Sequence, residues 1–267
     1  MREREVTDSD LLKERQESDR HITHHKRAHQ KAKAALTTRD EFLAIVSHDL
    51  RNPLAAVTAS AEMLRMNLRQ VPMEVADNLA LVQIIERNGR LMDRLIQDLL
   101  DLERIGVGKM HITKFDHDLR DVITGCAESF QAAALEKKVE LTVALPSDKM
   151  IASFDPDRMT QVLGNLIGNA LKFTPSGGQI SITAGDDDDG LEVSVRDSGV
   201  GISPAEQGVI FERFSQLRRN DRSGLGLGLY ISRWIVEEHD GQLRVESEPG
   251  QGSRFYFNLP KGAPALS

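Results

Sequence analysis

The sequence predicts a multidomain chain, with an antiparallel helical hairpin forming a dimeric four-helix bundle, followed by an α/β sandwich. Of its 20 glycines, only Gly89 lies within the first 105 residues. Glycine and proline end helices, so their scarcity there predicts long helices, and their frequency after Gly106 predicts short alternating elements. The length of 267 residues suits two ordinary domains with real cores.

Changes in composition place the expected boundaries. We expect a charged helix or coiled coil over 1–37, a helical domain over 38–105, a linker over 106–112, an α/β domain over 113–261 and a tail over 262–267. The first segment is dense in charged residues and has few apolar anchors, which favours an exposed helix.

Apolar residues recur at steps of 3, 4 or 7 on both arms of the hairpin, which is helical spacing. The first arm carries Leu43, Leu50, Leu54, Val57, Ala61, Leu64 and Leu68. The second arm carries two adjacent stripes: Val82, Ile85, Gly89, Met92, Ile96 and Leu99, and Leu81, Ile84, Leu91 and Leu95. Two helices alone do not cover so broad a face, so we expect a homodimer.

Strands and helices alternate in the second half. We expect strands at 111–115, 139–144, 151–154, 179–184, 191–196, 242–247 and 253–258, and helices at 119–136, 156–173 and 227–238. Asp155 and Pro156 are a typical cap and first residue of a helix. The expected arrangement is one sheet with helices on one face.

Charge and cysteine content exclude several classes. The formal charge of −7, with acidic and basic residues interleaved, argues against nucleic acid as a partner. No apolar run reaches the roughly 18 residues of a membrane span, and no apolar signal peptide begins the chain. Cys126 is the only cysteine, which favours a reducing cytoplasm and a buried structural thiol.

Four histidines cluster near the start of the chain. His21, His24, His25 and His29 are spaced so that most share one helix face. They are either a metal or pH-sensing site or a solvated helix face. The second interpretation is favoured, because no carboxylate or thiolate is arranged with them.

A polar island, SHDLRNPL, interrupts the first hairpin helix at 47–54. Its His48 is suited to nucleophilic chemistry, since the carboxylate of Asp49 can accept the proton of one ring nitrogen while the other attacks. Read alone, a surface histidine before an aspartate is weak evidence for chemistry, and the interpretation as a solvated surface histidine is favoured. Elements elsewhere in the chain support the chemical interpretation.

Three elements of the second half suit a nucleotide. Asn165, Asn169 and Lys172 share a helix face, where amide oxygens suit Mg²⁺ and the lysine suits phosphate. Asp197 ends a strand, and a carboxylate there can accept a hydrogen bond from the adenine amine.

Glycines complete these elements. Gly199 and Gly201 let a flat base approach the backbone. Gly224, Gly226 and Gly228 open a helix, whose free N–H groups and dipole favour phosphate.

Five motifs in order resemble the transmitter core of a two-component sensor histidine kinase, over about residues 38–260. SHDLRNPL is similar to the H box of that family, NLIGNALKFT to the N box, DSGVGI to the G1 box, FERF to the F box and GLGLGL to the G2 box. The resemblance implies a dimerisation and histidine phosphotransfer domain at 38–105 and an ATP-binding domain of the GHKL (Bergerat) type at 113–261.

The resemblance also implies roles. His48 is the phosphorylated nucleophile and Asp49 its base. Asn52, one turn after His48, stands where family members with phosphatase activity place Thr or Asn to orient a water. The cofactors implied are ATP and Mg²⁺, with Asn169 as the metal ligand and Asn165 as an auxiliary contact.

Lys172 is implied to contact the phosphates, Phe173 the adenine ring and Asp197 the adenine amine. Gly199 and Gly201 shape the base pocket, and Gly224, Gly226 and Gly228 cradle the phosphates.

Two positions depart from the family pattern. Leu225 stands where the family often has Ser or Thr, and Gln216 stands near the place of an arginine that reaches the γ-phosphate. Arg213, Arg218 or Arg219 are candidate substitutes for that arginine. Residues 215–223 are expected to form a mobile lid over the nucleotide.

We therefore predict an ATP-dependent histidine kinase that transfers its phosphoryl group to the receiver domain of a separate response regulator and also dephosphorylates that partner. Two alternatives are a catalytically silent kinase-like adaptor and a GHKL ATPase of the chaperone or mismatch-repair kind. The intact His48, Asn169 and Asp197 argue against the adaptor, and the H-box hairpin argues against the ATPase.

Overall fold

The computed structural model describes residues 46, 50–67, 75–187, 190–215 and 225–261. Two long helices come first: α1 over 50–67 and α2 over Val75–Gly106. Near the hairpin connection, the Asn67 side chain donates a hydrogen bond to Asn78 Oδ1 at 3.2 Å. None of the described helices is long and apolar enough to cross a membrane. The N-terminal histidine cluster and the hairpin connection lie outside the described residues.

The apolar face of the hairpin is only partly buried within one chain. Leu95 is buried at 2% exposure, and Leu50 and Leu99 pack against the same core. On the predicted stripes, however, Leu54 is 51% exposed and Ile96 is 43% exposed. The two helices by themselves leave much of their apolar surface uncovered.

The α/β half contains four helices and seven strands among the described residues. They follow the order β1 Phe115–Asp118, α3 Leu119–Lys137, β2 Glu140–Ala144, β3 Ile151–Phe154, α4 Pro156–Phe173, β4 Gln179–Asp187, β5 Gly190–Asp197, α5 Pro204–Gln207, α6 Gly228–Glu238, β6 Leu243–Glu248 and β7 Gly252–Leu259. Five strands form a mixed sheet in the order β2-β4-β5-β7-β6, with only the β2–β4 pair parallel. Helices α3, α4 and α6 pack on it.

The core lies between the sheet and these helices. Alternate strand residues are buried, such as Ile180 and Ile182 on β4 and Phe257 on β7, and they face apolar helix residues such as Leu163 and Ile167. This alternation is the reason that the other face of the sheet carries polar residues.

Two expectations about the strands are wrong. The first strand is β1 at Phe115–Asp118 rather than 111–115, and it pairs with β3 in a separate two-stranded antiparallel sheet, so there is not one sheet. Pairing decides this shift: Asp118 Oδ1 accepts the N–H groups of Arg120 and Met150, which fixes the polar end of β1 beside β3. The short helix α5 was not expected.

The predicted start of α4 is confirmed. The carboxylate of Asp155 accepts the Arg158 N–H as the N-cap, and Pro156 occupies the first turn. The helix therefore begins where the sequence predicts, and this start determines which residues face the site at its far end.

A polar cluster joins α2 to α4. Asp101 is 3% exposed, and its side chain accepts hydrogen bonds from Arg158 Nη1 at 3.2 Å and Gln161 Nε2 at 2.8 Å. Arg104 lies 3.8 Å away on α2. The last turns of the hairpin thus contact the N-terminal half of the helix that carries the candidate site.

His239 at the end of α6 is held as a neutral imidazole. It is 1% exposed; Nε2 accepts the Asp155 N–H at 2.9 Å, and Nδ1 lies 2.7 Å from the Ile235 carbonyl oxygen. A proton on Nε2 would face the N–H of Asp155. Burial is the main reason that the pKa of His239 is lowered below its ordinary value of 6.5.

We expect acid to destabilise the protein partly through this histidine. At a pH above 6.5, the ordinary pKa of histidine, the neutral His239 costs the folded state nothing. As the pH falls below 6.5 and through the lower pKa of the folded state, the unfolded chain binds a proton more readily than the folded one, so stability declines. Thermal unfolding between pH 7 and pH 5 measures this, and His239→Gln should lose less stability over that range than the wild type. His111→Gln, which removes an exposed histidine, is the control. Parallel curves for wild type and His239→Gln would contradict the assignment.

Candidate nucleotide-binding site

The carboxylate of Asp197 lies at the end of β5 and is buried, with 6% of the residue exposed. Its Oδ1 accepts the Gly199 N–H at 2.8 Å, and the Ser253 N–H is a second backbone donor. Burial raises the pKa of the Asp197 carboxyl, and the two backbone hydrogen bonds act in the opposite direction. A buried acceptor with fixed backbone partners favours ligands that supply a hydrogen-bond donor.

Two glycines keep the backbone beside Asp197 close to its neighbours. A Cβ atom on Gly199 would lie 2.6 Å from Asp197 Oδ1 and 2.7 Å from the Phe173 carbonyl oxygen. Gly201 has φ of +69°, and its Cβ would lie 1.9 Å from the Glu248 carbonyl oxygen. The loop therefore touches both the end of α4 and the turn between β6 and β7.

The C-terminal half of α4 carries the predicted amide and lysine side chains. The Asn165 amide donates to the Gly228 carbonyl at 3.3 Å and to Ser232 Oγ at 3.2 Å, so it ties α4 to α6. Asn169, one turn later, is half-buried. Lys172 Nζ lies 4.7 Å from the centroid of the Phe173 ring.

The start of α6 has the properties of an anion site. Among the described residues no side chain caps its N-terminus at Leu227, whereas Asp118 and Asp155 cap α3 and α4. Among the residues that the structure describes, the first N–H groups of α6 and the positive end of its dipole therefore have no carboxylate partner. No acidic residue lies in its first turn.

The glycine-rich loop before α6 packs against the end of the F-box segment. Gly226 has φ of +68°, and its Cβ would lie 2.5 Å from the Ser215 carbonyl oxygen. Arg213, in the same segment, donates from Nη2 to Tyr230 Oη at 2.8 Å, and its guanidinium carbon lies 4.8 Å from the ring centroid. Tyr230 is in the first turn of α6, so its contact with Arg213 holds a guanidinium group beside the helix end that favours anions.

The candidate site thus has two ends among the described residues. Asp197, Gly199 and Phe173 meet at the end beside the last turn of α4. Asn165, Gly228 and the Arg213–Tyr230 pair meet at the end beside the start of α6. Asn52 is exposed on α1. His48, Asp49, Gly224 and most of the expected lid lie outside the described residues.

Three residues of the site, Ser253, Ser232 and Tyr230, belong to none of the sequence motifs. Each acts on a predicted site residue through a contact distant in sequence: Ser253 on Asp197, Ser232 on Asn165 and Tyr230 on Arg213. No local pattern marks such a residue, although Ser253 follows the glycine-rich turn that connects β6 to β7.

The donor chemistry at α4 suits a hard cation. Within the described ranges no three His, Cys, Asp or Glu side chains form a group that could hold a metal. The Asn169 amide makes no hydrogen bond to another described residue, and its oxygen is a ligand of the type that Mg²⁺ accepts alongside waters and phosphates.

Fold and site together define a nucleotide-binding α/β domain joined to a helical hairpin. Two family models match: "His Kinase A (phospho-acceptor) domain" over residues 38–108, and "Histidine kinase-, DNA gyrase B-, and HSP90-like ATPase" over residues 154–263. The chain belongs to the sensor histidine kinases, as their transmitter core. This confirms the family and the fold predicted from the motifs.

Curated relatives agree. The chain is 33% identical over 227 residues to the adaptive-response sensory kinase SasA of Synechocystis sp., covering 83% of this chain and 59% of that protein. It is 36% identical over 228 residues to the sensor histidine kinase RppB of the same organism, covering 82% and 48%. The chain thus spans about half the length of these relatives.

Solved structures are similar over most of the chain. Full-length ShkA in complex with AMPPNP aligns with a TM-score of 0.62 and 31% identity, covering 85% of this chain and 47% of that one. Histidine kinase ThkA in complex with the response regulator protein TrrA aligns with a TM-score of 0.59 and 25% identity, covering 83% and 61%.

Proposed function

We propose that this chain is an ATP-dependent protein-histidine kinase that phosphorylates its own His48 and passes the phosphoryl group to an aspartate of a separate response regulator. The observation that carries the proposal is the buried Asp197 carboxylate beside Gly199, at the opposite end of α4 from its cap, together with the start of α6, which no described side chain caps. These features suit the two ends of one adenine nucleotide. AMPPNP bound to the similar ShkA is consistent with this.

The ATP-binding domain, proposed as 113–261, supplies contacts for each part of the nucleotide. Asp197 accepts a hydrogen bond from the adenine amine, and Phe173 lies against the base. Asn169, with Asn165 beside it, holds Mg²⁺, which neutralises phosphate charge when bound.

Lys172, Arg213 and the loop glycines Gly224, Gly226 and Gly228 contact the phosphates. Because Arg213 is already attached to Tyr230, we favour it over Arg218 or Arg219 as the substitute for the missing arginine at Gln216.

The phosphotransfer domain, proposed as 38–105, supplies the nucleophile. One nitrogen of the neutral His48 imidazole bonds to the γ-phosphorus while the bond to the β–γ bridging oxygen breaks and ADP leaves. The Asp49 carboxylate accepts the proton of the other ring nitrogen. In the second step a carboxylate oxygen of the receiver attacks phosphorus, the N–P bond breaks, and Asp49 returns the proton.

A receiver domain in a separate protein is the proposed partner. ThkA is similar to this chain and forms a complex with a response regulator. Asn52, exposed one turn after His48, is placed in the sequence to orient a water for dephosphorylation of the receiver, so we propose a bifunctional enzyme. The use of ATP and the free Cys126 thiol favour the cytoplasm.

We also propose that the chain is a homodimer. Leu54, Leu79, Val82, Ile96 and Leu100 are each more than one third exposed on the hairpin. Such a broad exposed apolar face favours burial against a second hairpin in a four-helix bundle. The solution mass should be twice 29.7 kDa; a monomer at micromolar concentration would contradict this.

The deciding experiment incubates the full chain with Mg²⁺ and ATP labelled at the γ-phosphate. The wild type should acquire phosphate that is labile in acid and stable in base, and His48→Gln should acquire none. Asn52→Ala should still be labelled, but should dephosphorylate the receiver more slowly than the wild type, because only the water-orienting amide is lost.

The other outcomes favour the alternatives. Equal absence of label from wild type and His48→Gln would favour the silent adaptor. Equal release of inorganic phosphate by both, without label, would favour a GHKL ATPase. Equal dephosphorylation of the receiver by wild type and Asn52→Ala would remove the phosphatase role of Asn52.

A further inference from the structure

Two polar side chains behind Asp197 join the loop 198–202 to the turn between β6 and β7. The first is Ser247, at the end of β6. Its Oγ accepts the Ile202 N–H at 2.8 Å, donates to the Gly252 carbonyl at 2.8 Å, and lies 2.9 Å from Ser253 Oγ. A hydroxyl has one donor and two acceptor positions, so these three contacts use it completely if Ser253 donates.

The second side chain is Gln207, at the end of α5. Its Nε2 donates to the Ile202 carbonyl at 2.9 Å and to the Ser247 carbonyl at 2.7 Å. Both protons of the amide are therefore used. Ile202 is thus held at its N–H by Ser247 and at its carbonyl by Gln207.

The Asp197 carboxylate spans the two segments that these side chains join. One of its backbone donors, Gly199, belongs to the loop, and the other, Ser253, follows the turn. The segments are in direct contact elsewhere, since the Gly250 N–H donates to the Val200 carbonyl at 2.8 Å. A shift of the loop relative to the turn would separate the two donors and reorient the carboxylate.

We propose that Ser247 and Gln207 are positioning residues for base recognition, which hold the loop 198–202 against the start of β7 and so fix the orientation of the Asp197 carboxylate. The inference rests on the proposed recognition of the adenine amine by Asp197. Its consequence is specific: loss of either side chain weakens recognition of that amine more than it weakens binding of the rest of the nucleotide.

The test compares the affinities of the full chain for ATP and for purine riboside triphosphate, which lacks the 6-amino group. The wild type should prefer ATP roughly tenfold or more, the size expected for a hydrogen bond to a charged group. Ser247→Ala and Gln207→Glu should reduce this ratio several-fold, and Ser247→Thr, which keeps the hydroxyl, should restore it. Glutamate has nearly the shape of glutamine, but in Gln207→Glu a carboxylate oxygen replaces the NH₂ group and cannot donate to the carbonyls of Ile202 and Ser247.

Ser194→Ala is the matched control. Ser194 is a buried serine on β5 of the same sheet, and its Oγ accepts a hydrogen bond from Arg254 at 2.9 Å, away from the loop. Ser194→Ala should lower the melting temperature and leave the ratio of the two nucleotide affinities unchanged.

An unchanged ratio in Ser247→Ala and Gln207→Glu, with both affinities lowered equally, would overturn the proposal, because it indicates a structural role only. Absence of any preference in the wild type would also overturn it, while labelling of His48 by ATP would then still support the kinase. Conversely, a preference that depends on Ser247 in a chain that never labels His48 would remove the kinase and keep this inference.

Discussion

Replacing Asp197 by asparagine is expected to lower the affinity for ATP roughly 10- to 100-fold, since a hydrogen bond to a charged group contributes about 1.5–3 kcal/mol. The change keeps the shape of the side chain and converts one acceptor into a donor. In the structure the carboxylate already accepts the N–H groups of Gly199 and Ser253. The new amide N–H therefore faces either one of these donors or the adenine amine.

Equilibrium binding of ATP and of purine riboside triphosphate measures the effect. The loss should be large for ATP and small for the analogue, which has no amine to lose. Asp186→Asn, at an exposed position on β4, removes the same charge from the same domain and should change neither affinity. Equal losses for both nucleotides in Asp197→Asn would show that Asp197 does not recognise the amine.

Replacing Gly201 by alanine is expected to destabilise the ATP-binding domain by at least about 3 kcal/mol. A non-glycine residue in the left-handed region costs about 1–3 kcal/mol, and overlap with fixed neighbours adds to this. Here φ is +69°, and the new Cβ would lie 1.9 Å from the Glu248 carbonyl oxygen, which is backbone and not free to rotate away. The melting temperature should fall by roughly 6–12 °C for a domain of this size.

Gly250→Ala separates the two causes. Gly250 lies in the adjoining turn with φ of +81°, but its Cβ would have no atom within 4 Å. This variant should lose only about 1 kcal/mol from backbone strain. Equal melting temperatures for the two variants would mean that the loop moves away from Glu248 without cost, and ATP affinity would then also stay unchanged.

Local chemistry made part of the fold predictable. The helix predicted at 156–173 is α4 at Pro156–Phe173, because its cap and its proline act over a few residues. The first strand was misplaced because its position depends on pairing with β3, more than 30 residues later. Helix α5 was missed because it spans only Pro204–Gln207, too short for a periodic pattern, and depends on the Ser203–Glu206 capping box.

In the candidate site, too, local motifs predict the residues, whereas their contacts depend on the folded chain. Asp197 and its glycines were found because a carboxylate at a strand end followed by glycines is a local pattern. Asn165 was found as well, but its actual partners, Gly228 and Ser232, lie more than 60 residues away. The attachment of Arg213 to Tyr230 is likewise a contact between separate elements.

The order of a helical hairpin and an ATPase-type α/β domain, the family and the residues proposed for chemistry can all be predicted without a structure. These depend on periodicity, glycine placement and short motifs, which are properties of neighbouring residues. Other features are visible only in the folded chain: Ser247 and Gln207 join the loop behind Asp197, α6 begins without a described side-chain cap, and the apolar face of the hairpin stays partly uncovered in one chain. Hydrogen bonds and burial are satisfied by whichever groups the folded chain brings within reach, and distance along the sequence does not limit that choice.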